Sequence, residues 1–343
     1  MKLSSMLMTG VALMAVSFSP CANAFKVGLL MPTQNEDRWY KEGFMLEKKL
    51  KKEGFETELF YGGDVDIELQ KKQILRAAND GCNVLIIGSI DGSAISDPLN
   101  DAKKKGIAII SYDRLITGTD AVNYYATFDN EMVGHIQGKY LVDKLQLDSS
   151  YESRNIELFY GSLNDNNAKF FWKGALEELQ PYIDSGVVNI KSGVITPEAA
   201  QTPDWSDTEA NKRMTKLIEE NGYGPNGTKL DGVLCPADCI AKGVIFALKK
   251  AGYNSSNMPI ITGQDATAEG LEQIKAGELA MTILKSPNAL SDTVVNMVKS
   301  ISKHEEVEIN DTSTYNNGAK IVDSYLCMPE LVDKTNIDKV LNM

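Results

Sequence analysis

Short aliphatic or β-branched runs alternate with longer amphipathic stretches along nearly the whole chain, the rhythm of parallel sheets covered by helices. Strands are predicted at 25–30, 56–61, 83–88, 107–112 and 124–128, with helices at 40–53, 66–80, 93–105 and 130–145. Runs such as Val84-Leu85-Ile86-Ile87 and Ile107-Ala108-Ile109-Ile110 have no polar face, which predicts strands buried on both sides. In the helix at 40–53, Phe44, Leu46 and Leu50 form the apolar stripe and the lysines between them a solvated face. The rhythm then restarts, with strands at 155–160, 187–195, 232–235, 260–263 and 281–284 and helices at 167–179, 208–220, 239–251 and 267–276. The pattern predicts an α/β protein of two doubly wound units in series, with the break near Phe128-Asp129.

Ahead of this pattern stand Lys2, an apolar run from Leu7 to Phe18 and the small-x-small triplet Ala22-Asn23-Ala24, which together read as a cleaved export signal with the mature chain starting at Phe25. The run is too short and too interrupted to span a bilayer. The remaining length suits two domains. Net charge is -12, which argues against nucleic acid, whose phosphates call for a basic surface. Cys82, Cys235, Cys239 and Cys327 are too few for a disulfide scaffold. Cys82 and Cys327 read as small buried hydrophobes, whereas export would permit a Cys235–Cys239 bond. With only His135 and His304 in the chain, no metal site is expected, and no cofactor is called for.

In open α/β sheets a ligand sits beyond the carboxyl ends of the strands, so the residues there are the candidates for chemistry. In the first unit they are Arg38, Trp39, Ser89, Asp91, Asp113 and Arg114; in the second, Asp165, Asn166, Asn167, Asp238, Gln264, Asp265 and Lys285. Carboxylates, amides and cations converging with aromatic faces suit a neutral polyhydroxyl ligand, whose hydroxyls donate and accept while its C–H face packs on a ring. Each candidate also has a structural explanation. Asp91, Asp165 and Asp238 precede predicted helices and could cap them; Asp113 and Arg114 could form an ion pair; Trp39 and Trp172 could be core. The recurrence at strand after strand favours a site.

At these same positions the chain resembles the periplasmic sugar-binding proteins of the ribose, galactose and xylose type, closest to the xylose-binding and multiple-sugar-binding subfamily. The motifs that carry the resemblance are Asp37-Arg38-Trp39, Ser89-Ile90-Asp91-Gly92, Tyr112-Asp113-Arg114-Leu115-Ile116, Thr127-Phe128-Asp129-Asn130, Asp165-Asn166-Asn167-Ala168, Gly263-Gln264-Asp265-Ala266 and Asn316-Asn317-Gly318, in the family's order. It implies the type I periplasmic binding protein fold, in which two doubly wound parallel-sheet lobes are joined by a three-segment hinge. The first lobe is expected over 25–128 plus 287–315, and the second over 129–286 plus 316–343, finishing with a strand near 321–326. The ligand would sit in the cleft between them.

The resemblance further implies that Trp39 lies along one face of a pyranose and Trp205 or Phe171 along the other. Arg38, Asp113, Arg114, Asn167, Asp265 and Lys285 would bond its hydroxyls, with Ser89, Asp91, Asp238 and Gln264 as secondary candidates. The family commonly has Asn where this chain has Ala237, which puts the usual contact from that loop in doubt and leaves Asp238 more a helix cap than a ligand. The implied role is to capture a monosaccharide in the periplasm, as a monomer, for the permease of an ABC importer. The alternative is a sugar sensor that presents the loaded protein to a chemoreceptor or histidine-kinase domain.

No catalytic pattern competes with this reading. The chain has no G-x-S-x-G elbow and no H-E-x-x-H motif. Gly134 to Lys139 has one residue too few between its glycines for a phosphate loop, and Asp64, Asp66 and Glu68 lack the glycine and distal glutamate of a calcium loop. No acid/base pair suited to a glycosidase stands out.

Overall fold

The computed structural model describes residues 25–35, 37–149 and 152–341, so the export signal expected over residues 1–24 lies outside the described residues. The first half runs β1 (Lys26–Met31), α1 (Asp37–Lys52), β2 (Glu56–Tyr61), α2 (Ile67–Asn79), β3 (Val84–Ile87), α3 (Ser96–Lys104), β4 (Ala108–Tyr112) and β5 (Tyr124–Phe128). The chain then crosses to α4 (Asn130–Lys144), β6 (Arg154–Leu158), α5 (Asn166–Asp184), β7 (Val188–Asn189) and α6 (Pro197–Ala200). A 3-10 turn at Pro203–Trp205 leads to α7 (Asp207–Asn221), β8 (Gly232–Leu234), α8 (Asp238–Lys250), β9 (Ile260–Ile261), α9 (Ala268–Ala276) and β10 (Met281–Leu284). It ends with α10 (Pro287–Lys303), β11 (Asp323–Cys327), β12 (Glu330–Asp333) and α11 (Ile337–Leu341).

Six parallel strands in the order β11-β5-β4-β3-β1-β2 form the first sheet. Its central strands are buried on both faces, as their unbroken aliphatic runs require: Val84, Leu85, Ile86 and Ile87 have no exposed surface. Trp39, Leu46 and Leu50 of α1 share one core with Leu290, Val294 and Val298 of α10, which brings the chain back to this lobe after β10. The second sheet has the order β7-β6-β8-β9, and an antiparallel β10–β12 pair extends it, Ala280 N donating to Ile261 O at 3.0 Å. Among the described residues no helix is long and apolar enough to cross a membrane.

The structure corrects three expectations. The run near 321–326 does not finish in the second lobe: Asp323–Cys327 pairs in parallel with Tyr124–Phe128 and fills the open edge that β5 would otherwise leave. The third crossing therefore falls between Cys327 and Glu330, not near Asn316–Lys320, and 316–327 belongs with the first lobe. Asn317 is a clamp inside that lobe, its Nδ2 donating to Ile116 O (3.2 Å) and Thr119 O (2.8 Å). The strand predicted over 187–195 shortens to Val188–Asn189, because Glu157 accepts from Ser192 N and Oγ and Gly193 turns with φ 67°. Cys82, Cys235 and Cys327 are buried, and Cys239 is partly buried. Cys235, in the loop after β8, is part of the core, while Cys239, in the first turn of α8, packs against that core and also lines the cleft.

Candidate functional site

The carboxyl ends of β4 and β10 face each other across the gap between the sheets, and both are followed at once by charged residues. Asp113 ends β4 on left-handed backbone, φ 61°, which a non-glycine residue keeps only when its surroundings hold it. They do so here. Asp113 N donates to Ala126 O at 2.8 Å, and its carbonyl accepts from Thr127 Oγ1 (3.0 Å) and Asn167 Nδ2 (2.8 Å), with the Tyr125 hydroxyl at 2.7 Å. Asn167 comes from α5, so this bond joins the two lobes.

Only 3% of Asp113 is exposed, and its carboxylate lies 2.9 Å from Arg38 Nη2 and 3.9 Å from Lys285 Nζ. Burial alone would raise its pKa, but Arg38, Lys285 and Arg114 outweigh burial and bring it down to about 2. Arg38 shows the reverse balance. Burial disfavours its charge, yet Asp113, Glu42 and Asp265 raise its pKa well above the ordinary value. Glu42 braces it one turn along α1, accepting from Arg38 Nε at 2.7 Å and from the Tyr112 hydroxyl at 2.7 Å. From the second lobe, Asp265 pairs with Lys285 at 3.1 Å and reaches Arg38 at 3.6 Å. Its backbone too is left-handed, φ 94°, and its N–H is held by Ile283 O at 2.8 Å. A third pair crosses the cleft from Arg114 Nε to Asp165 Oδ2 at 3.5 Å.

Aromatic rings complete the walls. Trp39 is 1% exposed and carries the Arg38 and Arg114 guanidinium groups over its ring, at 4.6 and 5.1 Å from the centroid. On the opposite side Trp205 meets Phe171 edge to face at 6.3 Å. Trp205 is delivered by a strained turn, with φ 52° at Asp204 and 58° at Trp205. The segment carrying it is tied to the end of β6 by Tyr160 N to Ala200 O (2.9 Å) and Thr202 N to Gly161 O (3.2 Å). Its indole lies against Gly161, where an added Cβ would fall 2.2 Å from the ring.

All nine principal candidates (Arg38, Trp39, Asp113, Arg114, Asn167, Phe171, Trp205, Asp265 and Lys285) line one cavity, together with Gln264. Three secondary candidates do not. Asp91 is used locally, accepting from Ser93 N and Oγ, and Ser89 offers its carbonyl to Arg114 from behind the wall. Asp238 turns away as well, accepting from Thr282 Oγ1 (2.7 Å), Thr267 N (2.8 Å) and Thr267 Oγ1 (3.0 Å). It does not cap its own helix. It anchors the start of α9, fitting a notch that Gly263 and Gly270 leave open.

Cys239, which the sequence reading did not single out, lines the cavity too, as do Ala237, which stands where the family commonly has Asn, and Asp165, which was weighed as a cap or a site residue. Asp165 does both jobs, since it accepts from Asn167 N at 2.9 Å while facing Arg114. Outside the cleft, Glu131, His135 and Glu177 bring ligand atoms within 4.8 Å of one another on the outer face of α4 and α5. The Lys173 ammonium already lies against Glu131 and Glu177 there, and His135 Nδ1 is engaged by Glu178.

Burial raises the pKa of Asp238 to about 7, against the hydrogen bonds that lower it. An acid whose pKa is higher folded than unfolded binds more protons in the folded state between the two values, so stability falls as pH rises from about 4 to 7. Thermal melts across that window should show the decline. In Asp238→Asn the slope should flatten, and an unchanged slope would refute the assignment.

Residues 27–306 match the family model described as a periplasmic binding protein domain. A multiple sugar-binding periplasmic receptor of Rhizobium radiobacter is 42% identical over 334 residues, spanning 97% of this chain and 93% of the relative. The D-xylose-binding periplasmic protein of Escherichia coli is 32% identical over 338 residues, 98% of this chain and 96% of the relative. Among solved structures, an ABC transporter solute binding protein from Clostridium phytofermentans with bound β-D-glucose is 44% identical with a TM-score of 0.88, covering 92% of this chain and 96% of that one. Two facing α/β lobes, three crossings between them and a polar cleft at the strand ends agree with these matches, and the chain belongs to the periplasmic binding protein family.

Proposed function

We propose that this protein captures one monosaccharide, a neutral aldopyranose such as glucose, xylose, galactose or arabinose, in the periplasm and hands it to the permease of an ABC importer. The observation that carries the reading is the convergence on one cavity of Arg38–Asp113, Lys285–Asp265 and Arg114–Asp165 with the rings of Trp39, Phe171 and Trp205. Each cation is already matched by a carboxylate, so the lining has donors and acceptors to offer a hydroxyl and no surplus charge to attract an ion. Residues from both lobes contact the same space, so a sugar bound there favours the closed arrangement, and a permease that reads the outer faces can distinguish loaded from empty protein. Residues 1–24 act in this reading as the export signal. A sensor partner is the second reading, favoured by the name of the Rhizobium radiobacter receptor, and the same closed form would serve it.

Calorimetric titration of protein unfolded and refolded to remove carried-over ligand tests the proposal. Saturable one-to-one binding of at least one of these aldoses is expected, and Arg38→Ala should weaken it by about 10- to 100-fold, the worth of a charged hydrogen bond. No heat with any aldose would overturn the reading.

A further inference from the structure

Six of the residues that line the cavity are charged and three are aromatic, but one corner has neither charge nor ring. There the loop from β8 into α8 contributes Ala237 and Cys239, with Gln264 beside them. Asp238, the residue between the first two, spends its carboxylate on Thr267 and Thr282, so this loop brings a methyl group and a thiol to the cleft and no carboxylate. Gln264 is 2% exposed; its Nε2 donates to Pro236 O at 3.0 Å, and its Oε1 is buried without a hydrogen-bond partner. A buried amide oxygen left unpaired is costly, and the partner it lacks is an O–H or N–H donor.

A short apolar arm ending in a hydroxyl fits this combination. Its methylene would rest against Ala237 and Cys239 while its hydroxyl donates to Gln264 Oε1. We propose that this corner receives the exocyclic hydroxymethyl group of a hexopyranose and that the site therefore selects hexoses over pentoses, an inference that rests on the monosaccharide reading above. The charged groups in the remainder of the cavity are left to the ring hydroxyls. A pentopyranose, which has no hydroxymethyl arm, would leave Gln264 Oε1 unpaired and the space beside Ala237 unfilled. A site built to bond a hydroxyl discriminates against the analogue lacking it because its own polar group is then stranded.

D-Glucose and D-xylose have the same ring stereochemistry and differ only in that arm, so their dissociation constants, measured by calorimetry on the refolded protein, test the point directly. Glucose is expected to bind about 10- to 100-fold more tightly, with 6-deoxy-D-glucose, which keeps the carbon and loses the hydroxyl, in between. Ala237→Leu, which fills the corner, should lower the ratio of glucose to xylose affinity, with a thermal melt showing that the variant is folded. Equal affinities in the unmodified protein, or a preference for xylose, would overturn the hexose inference and leave the monosaccharide reading standing. Binding of neither sugar, nor of the other aldoses, would overturn both. If Ala237→Leu fails to fold, the ratio of the three sugars in the unmodified protein decides the matter.

Discussion

Asp113→Ala is expected to remove monosaccharide binding, with a loss of at least about 100-fold, and to destabilise the protein at neutral pH by about 3 kcal/mol, the low end of the range for breaking a buried ion pair. The reason is what the substitution leaves behind. Lys285 is only 6% exposed and would retain Asp265 alone, while Arg38 would keep Glu42 and the longer contact to Asp265. Those remaining partners place the estimate at the low end. Calorimetry with glucose and urea denaturation, run side by side, would separate the two effects. There is also a pH signature. A carboxylate held at about 2 when folded and near 3.8 when unfolded contributes stability that is complete above the upper value and lost as pH falls towards the lower. The unmodified protein should show that acid loss and Asp113→Ala should lack it. Unchanged affinity in the variant would remove Asp113 from the site.

Gly134→Ala is expected to cost about 1–3 kcal/mol although it adds a single methyl group. The added Cβ would fall 2.1 Å from the carbonyl oxygen of Phe171 and 2.7 Å from Ala175 N, both backbone atoms of α5 that cannot swing aside. Gly174 on α5 faces Glu131 O at the same 2.1 Å, and Gly138 faces Ala175 O at 2.7 Å, so the two helices touch along a seam that has no room for side chains. Separating them would also move Phe171, and sugar affinity should fall with stability. A denaturation midpoint equal to that of the unmodified protein would show that the seam yields more easily than its geometry implies.

How much of this was legible in the sequence differs from element to element. Strands such as Val84–Ile87 announce themselves because a strand buried on both faces has no polar position at all. The cleft residues were legible for a topological reason, since parallel strands end on the same edge of their sheet and whatever follows them is gathered there. Hydrophobic pattern reports burial and does not say against which neighbour. That is why the placement of Asp323–Cys327 beside β5 was missed: a run of five half-apolar residues fits the edge of either sheet. Asp238 was misread because the residues that use its carboxylate, Thr267 and Thr282, lie 29 and 44 positions away. Ala237 was marked by the Asn it replaces in the family pattern, but Cys239 carries no charge or amide to mark it, so only coordinates could assign it to the cavity.

The placement of β11 also constrains the order in which the molecule can take shape. Asn317 clamps Ile116 across 201 positions, and the first sheet gains its outer strand only when residues 323–327 arrive. A chain emerging amino end first has the whole of 129–286 available while that sheet still lacks α10 and β11. The second lobe can therefore organise as an insertion within an unfinished first lobe, and closing so long a loop is the slow, late step. Until residues 323–327 pair with Tyr124–Phe128 that edge of the first sheet keeps its backbone groups unpaired, so a chain cut short before Asp323 would present an open strand edge to its neighbours.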